Sequence, residues 1–451
     1  MSDWLSAASS RRPDHPFVVT ASRPWSFAEA EERVATLAGA LRSRDVGPGS
    51  VVAVWAGNDA DSVAAVFGAW RAGASVLLLN TRLTAAEASL QVAEAGAHNL
   101  LGVTPPDLGV PTFDPTTLVG APVPGAAPNR DRLALIVFTS GSTGRPKGVR
   151  LTFGNLEASA AGSAAHLGHT PDDRWLCNLP IFHVGGLSIL IRSAREGSTA
   201  ILEPGFDPVR TAALLRAGDA TLASLVSVTL ARTLDVHVGR YSGVKAALIG
   251  GGPVPPDLVE RAWEVGIPAL PTYGMTETGS QVATARPEDR KVVPIPGAEI
   301  RAVDGRLQVR GPMLSPGYLG EPDRADGSWF ETGDVGTVSD EGVVEVLGRA
   351  DDVIVTGGEN VFPGEVEAAI HSHPGVVEVV VIGVADPVWG AKVVAVYQGD
   401  AAPGELERHV RYRLAGFKVP SVWRRVDTLP RLAVGKPDRK TVRSAGTATG
   451  P

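Results

Sequence analysis

The stretch "VFTSGSTGRPKGV" runs from Val137 to Val149 and places six glycine, serine and threonine residues in a row, from Thr139 to Gly144. Lys147 follows after one arginine and one proline. Glycines let backbone N–H groups approach an anion closely, hydroxyls donate hydrogen bonds, and an ammonium adds a compact positive charge. This composition predicts a phosphate-binding loop, although loops of this composition are more often plain surface linkers.

The residues on either side of the loop distinguish between the known kinds of phosphate-binding loop. A Walker sequence ends in GK followed by serine or threonine, whereas Lys147 is followed by Gly148, and the GxGxxG pattern of dinucleotide-binding folds is absent here. One apolar run precedes the loop at 133–138, and another follows it at 148–153. These runs predict a strand on each side of the loop.

Length and composition set limits on the class of protein. A chain of 451 residues with 44% hydrophobic residues is large enough for two or more packed domains. A net charge of −7 without a basic run argues against a nucleic-acid partner. The single cysteine, Cys177, excludes a disulfide framework and is expected to be buried filler, and no apolar stretch has the length of a membrane span. We therefore expect a cytoplasmic globular protein.

Helix and strand signals alternate in the first hundred residues. Ser26 and Glu29 have the spacing of a capping box, and Gly47 is expected to end the helix that follows. Apolar runs predict strands at 51–55 and 75–79. Alternating helices and strands are typical of a sheet covered by helices.

The pattern changes twice in the second half of the chain. Short strands and turns alternate between 298 and 348, which predicts a small barrel-like β unit. A mixed helix and strand pattern follows, so we place a domain boundary at 350–352. The predicted class is α/β, with a large N-terminal domain of helix-covered sheets that includes the β unit, at 1–350. A small α+β C-terminal domain is predicted at 351–451.

Six further segments contain residue types suited to nucleotide chemistry. They are "LPIFHVGGLSIL" at 179–190, "LIGGGPVP" at 248–255, "TYGMTET" at 272–278, "ETGD" at 331–334, "GRADDVIVTGGENVFPGEVE" at 348–367 and "PRLAVGKPDR" at 430–439. Each alone has an ordinary explanation: His183 as a core histidine, "ETGD" as a turn, Glu277 as a helix cap. In this order and spacing, over nearly the whole chain, they resemble the adenylate-forming superfamily of acyl-CoA ligases, peptide-synthetase adenylation domains and luciferases.

The resemblance implies a site for ATP. The glycine-rich loop would hold the β- and γ-phosphates, three glycines would meet adenine, a tyrosine would stack on the ring, and an aspartate beside an arginine would accept from the ribose hydroxyls. In the order of the chain, these residues are Thr139, Ser140, Gly141, Ser142, Thr143, Gly144, Lys147, Gly250, Gly251, Gly252, Tyr273, Asp334 and Arg349.

The resemblance also implies the catalytic residues, namely His183, Thr276, Glu277 and Lys436. Thr276 would touch the α-phosphate, and Glu277 would bind Mg²⁺, for which a carboxylate oxygen is a suitable ligand. When a carboxylate attacks the α-phosphate, two anions approach, so the site must supply cations. Only seven of the 42 basic residues are lysines, and Lys147 and Lys436 are two of them. A lysine in a chain that mostly uses arginine favours a specific role for its ammonium.

A second half-reaction is implied in which the thiol of CoA attacks the acyl-adenylate. In the superfamily the C-terminal domain rotates about a hinge between the two steps. The hinge corresponds to Asp351 in this sequence. The resemblance also assigns the CoA step to Gly357 and Gly358, in the segment at 348–367.

The segments around His183 and Thr276 resemble more narrowly the 2-succinylbenzoate–CoA ligases of menaquinone biosynthesis. That acid is a dianion in which the succinyl carboxylate reacts and the aromatic carboxylate remains. The resemblance assigns acid binding to His183, Ser188, Arg192 and Gly274, with Arg192 as the contact for the second carboxylate. The alternative for Arg192 is an ordinary solvated arginine.

Two other enzymes share the nucleotide residues. One is an acyl-CoA ligase for another aryl or medium-chain acid, and the other is an adenylation domain that loads a carrier protein. A non-catalytic nucleotide-binding relative would lack the lysine at 436. The expected partners are a small carboxylic acid, ATP and CoA, and a homo-oligomer is among the expected states.

Overall fold

The structure is a computed structural model that describes residues 3–139, 146–236, 239–357, 359–431 and 437–447. The chain divides into two compact units. The first contains Met1–Gly252, Leu258–Glu299 and Val309–Trp329, and the second contains Pro253–Asp257, Ile300–Gln308 and Phe330–Pro451. The predicted boundary at 350–352 stays a prediction.

Helices occur throughout the described residues. They are α1 (Trp4–Arg11), α2 (Phe27–Arg42), α3 (Ala60–Ala72), α4 (Ala85–Ala95), α5 (Phe153–Leu167), α6 (Val184–Glu196), α7 (Pro208–Arg216), α8 (Ser227–Asp235), α9 (Pro256–Glu264), α10 (Pro363–His371), α11 (Pro403–Arg411) and α12 (Arg439–Thr447). Among the described residues, no helix is both long and apolar enough to cross a bilayer.

The strands of the first half of the chain are β1 (Pro16–Val19), β2 (Pro24–Ser26), β3 (Val51–Trp55), β4 (Ser75–Leu79), β5 (Asn99–Leu101), β6 (Thr112–Phe113), β7 (Leu133–Thr139), β8 (Lys147–Thr152), β9 (Arg174–Cys177), β10 (Thr199–Leu202) and β11 (Leu222–Leu225). The later strands are β12 (Ala246–Ile249), β13 (Ala269–Met275), β14 (Ser280–Ala285), β15 (Val292–Pro294), β16 (Glu299–Val303), β17 (Arg306–Arg310), β18 (Gly317–Tyr318), β19 (Phe330–Val338), β20 (Val344–Arg349), β21 (Ile354–Thr356), β22 (Glu359–Val361), β23 (Val376–Asp386), β24 (Gly390–Gly399) and β25 (Val422–Arg425).

Two large sheets dominate the first unit. A nine-stranded sheet has the order β15-β14-β13-β12-β11-β9-β10-β1-β2, and a seven-stranded sheet has the order β18-β8-β7-β4-β3-β5-β6. Strands β13, β12, β11, β9, β10 and β1 are mutually parallel. In the second sheet the parallel strands are β7, β4, β3, β5 and β6. The predicted α/β class is confirmed.

The local signals explain where α2 begins and ends. Ser26 accepts a hydrogen bond from the Glu29 N–H at 3.2 Å, and the Glu29 carboxylate accepts from the Ser26 N–H at 2.7 Å, so the predicted capping box is confirmed. The expected end near Gly47 is wrong, because α2 ends at Arg42. Asp45 takes a left-handed conformation with φ of 60°, which turns the chain before the glycine is reached.

The second unit has its own sheet and core. Strands β23, β24 and β25 form a three-stranded sheet, and β21 pairs with β22. Their apolar side chains pack with those of α10 and α11, including Ile354, Val366, Val381, Tyr397 and Leu406. The β unit expected between 298 and 348 is a four-stranded sheet with the order β16-β17-β19-β20.

Candidate active site

Four neighbouring parallel strands bring several predicted site residues of the first unit to one edge of the nine-stranded sheet. Strands β9, β11, β12 and β13 lie side by side. Their carboxyl ends lead to the loop with His183, to α8, to the glycines at 250–252 and to the turn with Glu277. In open α/β sheets, ligands bind in the crevice beyond the carboxyl ends of the strands.

The predicted phosphate-binding loop lies in the sequence between two strands, and these two strands pair antiparallel. Thr139 at the end of β7 lies opposite Lys147 at the start of β8. The Thr139 hydroxyl donates to the Lys147 carbonyl oxygen at 3.5 Å. The predicted ligands between them, Ser140, Gly141, Ser142, Thr143 and Gly144, lie outside the described residues.

The Lys147 side chain, which is 45% exposed, approaches two side chains of a distant segment. Its Nζ lies 4.8 Å from the ring centroid of Tyr318 and 3.7 Å from Oε1 of Glu321. Tyr318 Oη donates to Oε1 of Glu277 at 2.8 Å. Burial, with the Glu277 carboxylate beside it, raises the pKa of Tyr318 well above its ordinary value, so the phenol stays a donor. Tyr318 was not predicted from the sequence.

The glycines that would meet adenine follow β12 directly. The Gly250 N–H donates to the Leu225 carbonyl at 3.1 Å, and Gly251 has a φ of 80°, which disfavours residues other than glycine. Tyr273 is half-buried on the adjacent strand β13. These predicted adenine contacts therefore come from neighbouring strand ends.

Two predicted acid-binding residues meet at Ser280. The Ser188 hydroxyl on α6 lies 3.4 Å from the Ser280 hydroxyl. A Cβ on Gly274 would lie 2.1 Å from the Ser280 carbonyl oxygen, so only glycine allows this backbone approach. His183 is the N-cap residue of the same helix, and its ring packs edge-on against Phe182 at 4.7 Å between centroids.

Arg192 lies on α6 and is only 1% exposed, so it is not a solvated surface arginine. Its Cζ lies 5.1 Å from the ring centroid of Trp175. Two of its nitrogens, Nε and Nη2, are buried without a hydrogen-bond partner among the described residues. Burial lowers the pKa of Arg192 to about 9, so the group is a cation at neutral pH.

Trp175, which stacks with this arginine, contacts a serine and a histidine, and none of these three residues was predicted from the sequence. The Trp175 indole N–H donates to the Ser224 hydroxyl oxygen on β11 at 3.1 Å. The ring of His169 packs edge-on against Trp175 at 5.2 Å. Burial lowers the pKa of His169 to about 4, so this imidazole is neutral at pH 7.

Cys177, at the end of β9, is fully buried and points its thiol toward the Leu179 and Gly186 carbonyl oxygens at 3.6 and 3.7 Å. Burial raises its pKa to about 12. The prediction that this thiol is buried filler is confirmed.

The second unit contains its own predicted site residues. Asp334 on β19 lies opposite Arg349 on β20, and Arg349 Nη1 is 3.2 Å from Asp334 Oδ1. Asp351 lies in a short turn at Ala350–Asp352. Gly357 has a φ of 59°, and a Cβ there would lie 2.9 Å from the ring of Trp389. Gly358 and Lys436 lie outside the described residues.

The donor set around Glu277 fits Mg²⁺. Within the described ranges, no three histidine, cysteine, aspartate or glutamate side chains form a group that could hold a metal. Mg²⁺ keeps several waters and is commonly held by one or two carboxylates together with the phosphates of a substrate. Glu277 is a single half-buried carboxylate that bonds to Tyr318, the same side chain that contacts Lys147, and this mode of binding requires a carboxylate of that kind.

Comparison with known families identifies the class of protein. The AMP-binding enzyme family matches residues 5–319, and the AMP-binding enzyme C-terminal domain matches residues 365–436. The chain belongs to the AMP-binding enzyme family.

Individual similar proteins have more specific names than the family does. The chain is 35% identical to the 2-succinylbenzoate–CoA ligase of Listeria monocytogenes serotype 4b, over 98% of this chain and 99% of that protein. It is 36% identical to the 2-succinylbenzoate–CoA ligase of Bacillus licheniformis, over 96% of this chain and 98% of that protein.

Solved structures of an enzyme that acts on the same acid are also similar to this chain. The o-succinylbenzoate CoA synthetase of Bacillus subtilis, in complex with the acyl-adenylate intermediate, superimposes with a TM-score of 0.92 at 32% identity and covers 100% of this chain and 99% of that chain. The same enzyme with ATP and magnesium ion gives a TM-score of 0.89 at 32% identity, over 98% of this chain and 99% of that one.

Proposed function

We propose that this chain is an ATP-dependent 2-succinylbenzoate–CoA ligase. In the first step the succinyl carboxylate attacks the α-phosphate of ATP, which forms an acyl-adenylate and releases pyrophosphate. In the second step the thiol of CoA attacks the acyl carbonyl and AMP leaves. The relatives at about one-third identity over their whole length support this reaction.

The observation that carries the choice of acid is Arg192. A buried cation with two unpartnered nitrogens is costly unless a ligand supplies the missing hydrogen bonds. The second carboxylate of 2-succinylbenzoate is a ligand of that kind. Ser224, whose hydroxyl oxygen already accepts from Trp175, can donate its proton to the same carboxylate.

The remaining roles follow the sequence predictions. Lys147 and the glycine-rich loop would bind the β- and γ-phosphates, Gly250 to Gly252 and Tyr273 the adenine, and Thr276 the α-phosphate. Glu277 would hold Mg²⁺, which neutralises charge on the phosphate oxygens when bound. His183, Ser188 and Gly274 would border the acid.

The second unit contributes its own proposed roles. Asp334 would accept from the ribose hydroxyls with Arg349 beside it. We further infer two functional domains, 1–350 and 351–451, with Asp351 as the hinge, Lys436 acting in adenylation and Gly357 and Gly358 in the CoA step. A cytoplasmic location is also inferred.

A panel of acids in ATP–pyrophosphate exchange tests the proposal. The panel includes 2-succinylbenzoate, benzoylpropionate (the same acid without its ring carboxylate) and medium-chain fatty acids. We expect exchange to be fastest with 2-succinylbenzoate and thioester to form when CoA is added. A preference for benzoylpropionate or a fatty acid would favour another acyl-CoA ligase, and exchange without thioester formation would favour a carrier-protein-loading enzyme.

A further inference from the structure

Tyr318 contacts two side chains to which the proposed function gives different tasks on ATP. Its hydroxyl bonds to Glu277, the candidate metal ligand, and its ring lies under Lys147, the candidate phosphate ligand. We propose that Tyr318 is a positioning residue that sets both the metal-binding carboxylate and the phosphate-binding ammonium before ATP arrives. This inference rests on the ATP step of the proposed function and not on the identity of the acid.

The hydroxyl controls the orientation of the carboxylate. A free glutamate rotates about its terminal bond, so its two oxygens sample many directions. The 2.8 Å hydrogen bond from Tyr318 occupies Oε1 of Glu277 and restricts that rotation. Oε2 is then left for a cation. Partners of this kind, one step behind a metal ligand, typically change metal affinity by about 10- to 100-fold.

The aromatic ring controls the position of the lysine. The Nζ of Lys147 lies 4.8 Å from the ring centroid, within the range of a cation–π contact. The four-carbon lysine stem is flexible, and its other contact among the described residues, the exposed Glu321 carboxylate at 3.7 Å, leaves the ring as the half-buried support for the ammonium. The ring thus supports the ammonium on the same tyrosine whose hydroxyl bonds to the Glu277 carboxylate.

The backbone holds Tyr318 in place without help from a ligand. Strand β18 pairs with β8, so that Tyr318 lies opposite Val149, and the Leu319 N–H donates to the Gly148 carbonyl at 2.8 Å. On the other side, the Ser315 N–H donates to the Glu277 carbonyl at 2.7 Å. The segment thus joins the strand of the lysine to the turn of the carboxylate, and the order is already present in the free protein.

Tyr318→Phe removes the hydroxyl and keeps the ring. The measurement is Mn²⁺ binding by electron paramagnetic resonance in the presence of αβ-methylene ATP, without any acid or CoA. We expect Mn²⁺ to bind about tenfold more weakly than to wild type. Binding of the nucleotide without metal should be unchanged. Tyr412→Phe is the matched control, because Tyr412 is 89% exposed, and it should leave both affinities unchanged.

Tyr318→Leu removes both the hydroxyl and the ring. It should repeat the loss of Mn²⁺ affinity and also weaken metal-free binding of αβ-methylene ATP by about two- to fivefold, as expected for the loss of a cation–π contact. Unchanged Mn²⁺ affinity in Tyr318→Phe would overturn the proposal, even if the melting temperature fell, because the tyrosine would then be purely structural. Since no acid is present, failure of the succinylbenzoate assignment would not alter these affinities.

Discussion

The guanidinium of Arg192 lies over the indole of Trp175, 5.1 Å from the ring centroid, and makes no ion pair with any described residue. An aromatic face stabilises a cation without cancelling its charge. A carboxylate at the position of Trp175 would have formed a permanent ion pair with the arginine. The stack therefore keeps a buried positive charge available to an anion that comes from outside.

Arg192→Met should reduce kcat/KM for 2-succinylbenzoate by about one to two orders of magnitude. Methionine keeps part of the apolar stem but removes the charge, and a hydrogen bond to a charged group is worth about 1.5 to 3 kcal/mol. Steady-state kinetics with 2-succinylbenzoate and benzoylpropionate give a double difference. If both acids suffer equally, Arg192 has no role in recognising the second carboxylate. Arg216→Ala, on the exposed side of α7, is the control.

Trp175→Phe should raise KM for 2-succinylbenzoate by roughly two- to tenfold, because a neutral hydrogen bond is worth about 0.5 to 1.5 kcal/mol. Without the indole N–H, the Ser224 hydroxyl is no longer fixed in orientation. KM for ATP should stay constant. Trp25→Phe changes a comparable stack with Arg23 at 5.7 Å and should have no kinetic effect. A parallel rise of KM for benzoylpropionate would point to general damage of the pocket.

His169 should make the protein sensitive to mild acid. Its pKa is about 4 when folded and 6.5 when exposed, so between these values the unfolded chain binds a proton that the folded protein does not. Stability from this group is complete above pH 6.5 and falls as the pH drops toward 4, by up to about 3 kcal/mol. Asp173 opposes this shift and Arg192 and Lys245 reinforce it.

The measurement is urea unfolding at several pH values between 7 and 4 for wild type and His169→Gln. The variant should lose less stability over this range, since glutamine does not titrate. His98→Gln, at an exposed position, should follow wild type. Identical pH profiles for wild type and His169→Gln would contradict the assigned pKa.

Lys436→Ala should abolish acyl-adenylate formation and spare thioester formation from supplied acyl-adenylate. The ammonium is needed only while negative charge collects at the α-phosphate. Pyrophosphate exchange measures the first step, and release of AMP from added acyl-adenylate and CoA measures the second. Lys440→Ala is a nearby control. Equal loss in both half-reactions would refute the role.

Gly357→Ala should have the opposite effect. The left-handed backbone strains any residue other than glycine, and a methyl group would displace the Trp389 ring, which lies 2.9 Å from the Cβ position; strain of this kind costs about 1 to 3 kcal/mol. Thioester formation should slow by about tenfold or more while pyrophosphate exchange survives. Gly416→Ala, where a Cβ meets nothing within 4 Å, controls for the added methyl. Loss of exchange as well would remove the assignment to the CoA step.

The sequence predicted what local signals determine. A hydroxyl side chain at position i and a carboxylate side chain at i+3 determine where a helix starts, as Ser26 and Glu29 do. The apolar runs predicted the first and last residues of the strands at 51–55 and 75–79 correctly. The predicted end of α2 at Gly47 was wrong because the turn around Asp45 comes first and ends the helix.

Long-range pairing was not predictable in this way. Tyr318 and Glu277 are 41 residues apart, and Trp175 and Ser224 are 49 apart. Their contacts depend on which strands become neighbours, and strand periodicity contains no information about that order. Motif resemblance led to Arg192, but only its burial and its unpartnered nitrogens distinguish it from the other arginines.

The burial of Cys177 has a practical and a chemical consequence. With a pKa of about 12, roughly one thiol in 10⁵ is ionised at pH 7. The enzyme makes a reactive mixed anhydride that a sulfur nucleophile then attacks. Its own single sulfhydryl is buried inside the fold, which prevents self-acylation. A thiol-reactive chromophore added to the native protein should therefore report the consumption of CoA without a background from the polypeptide.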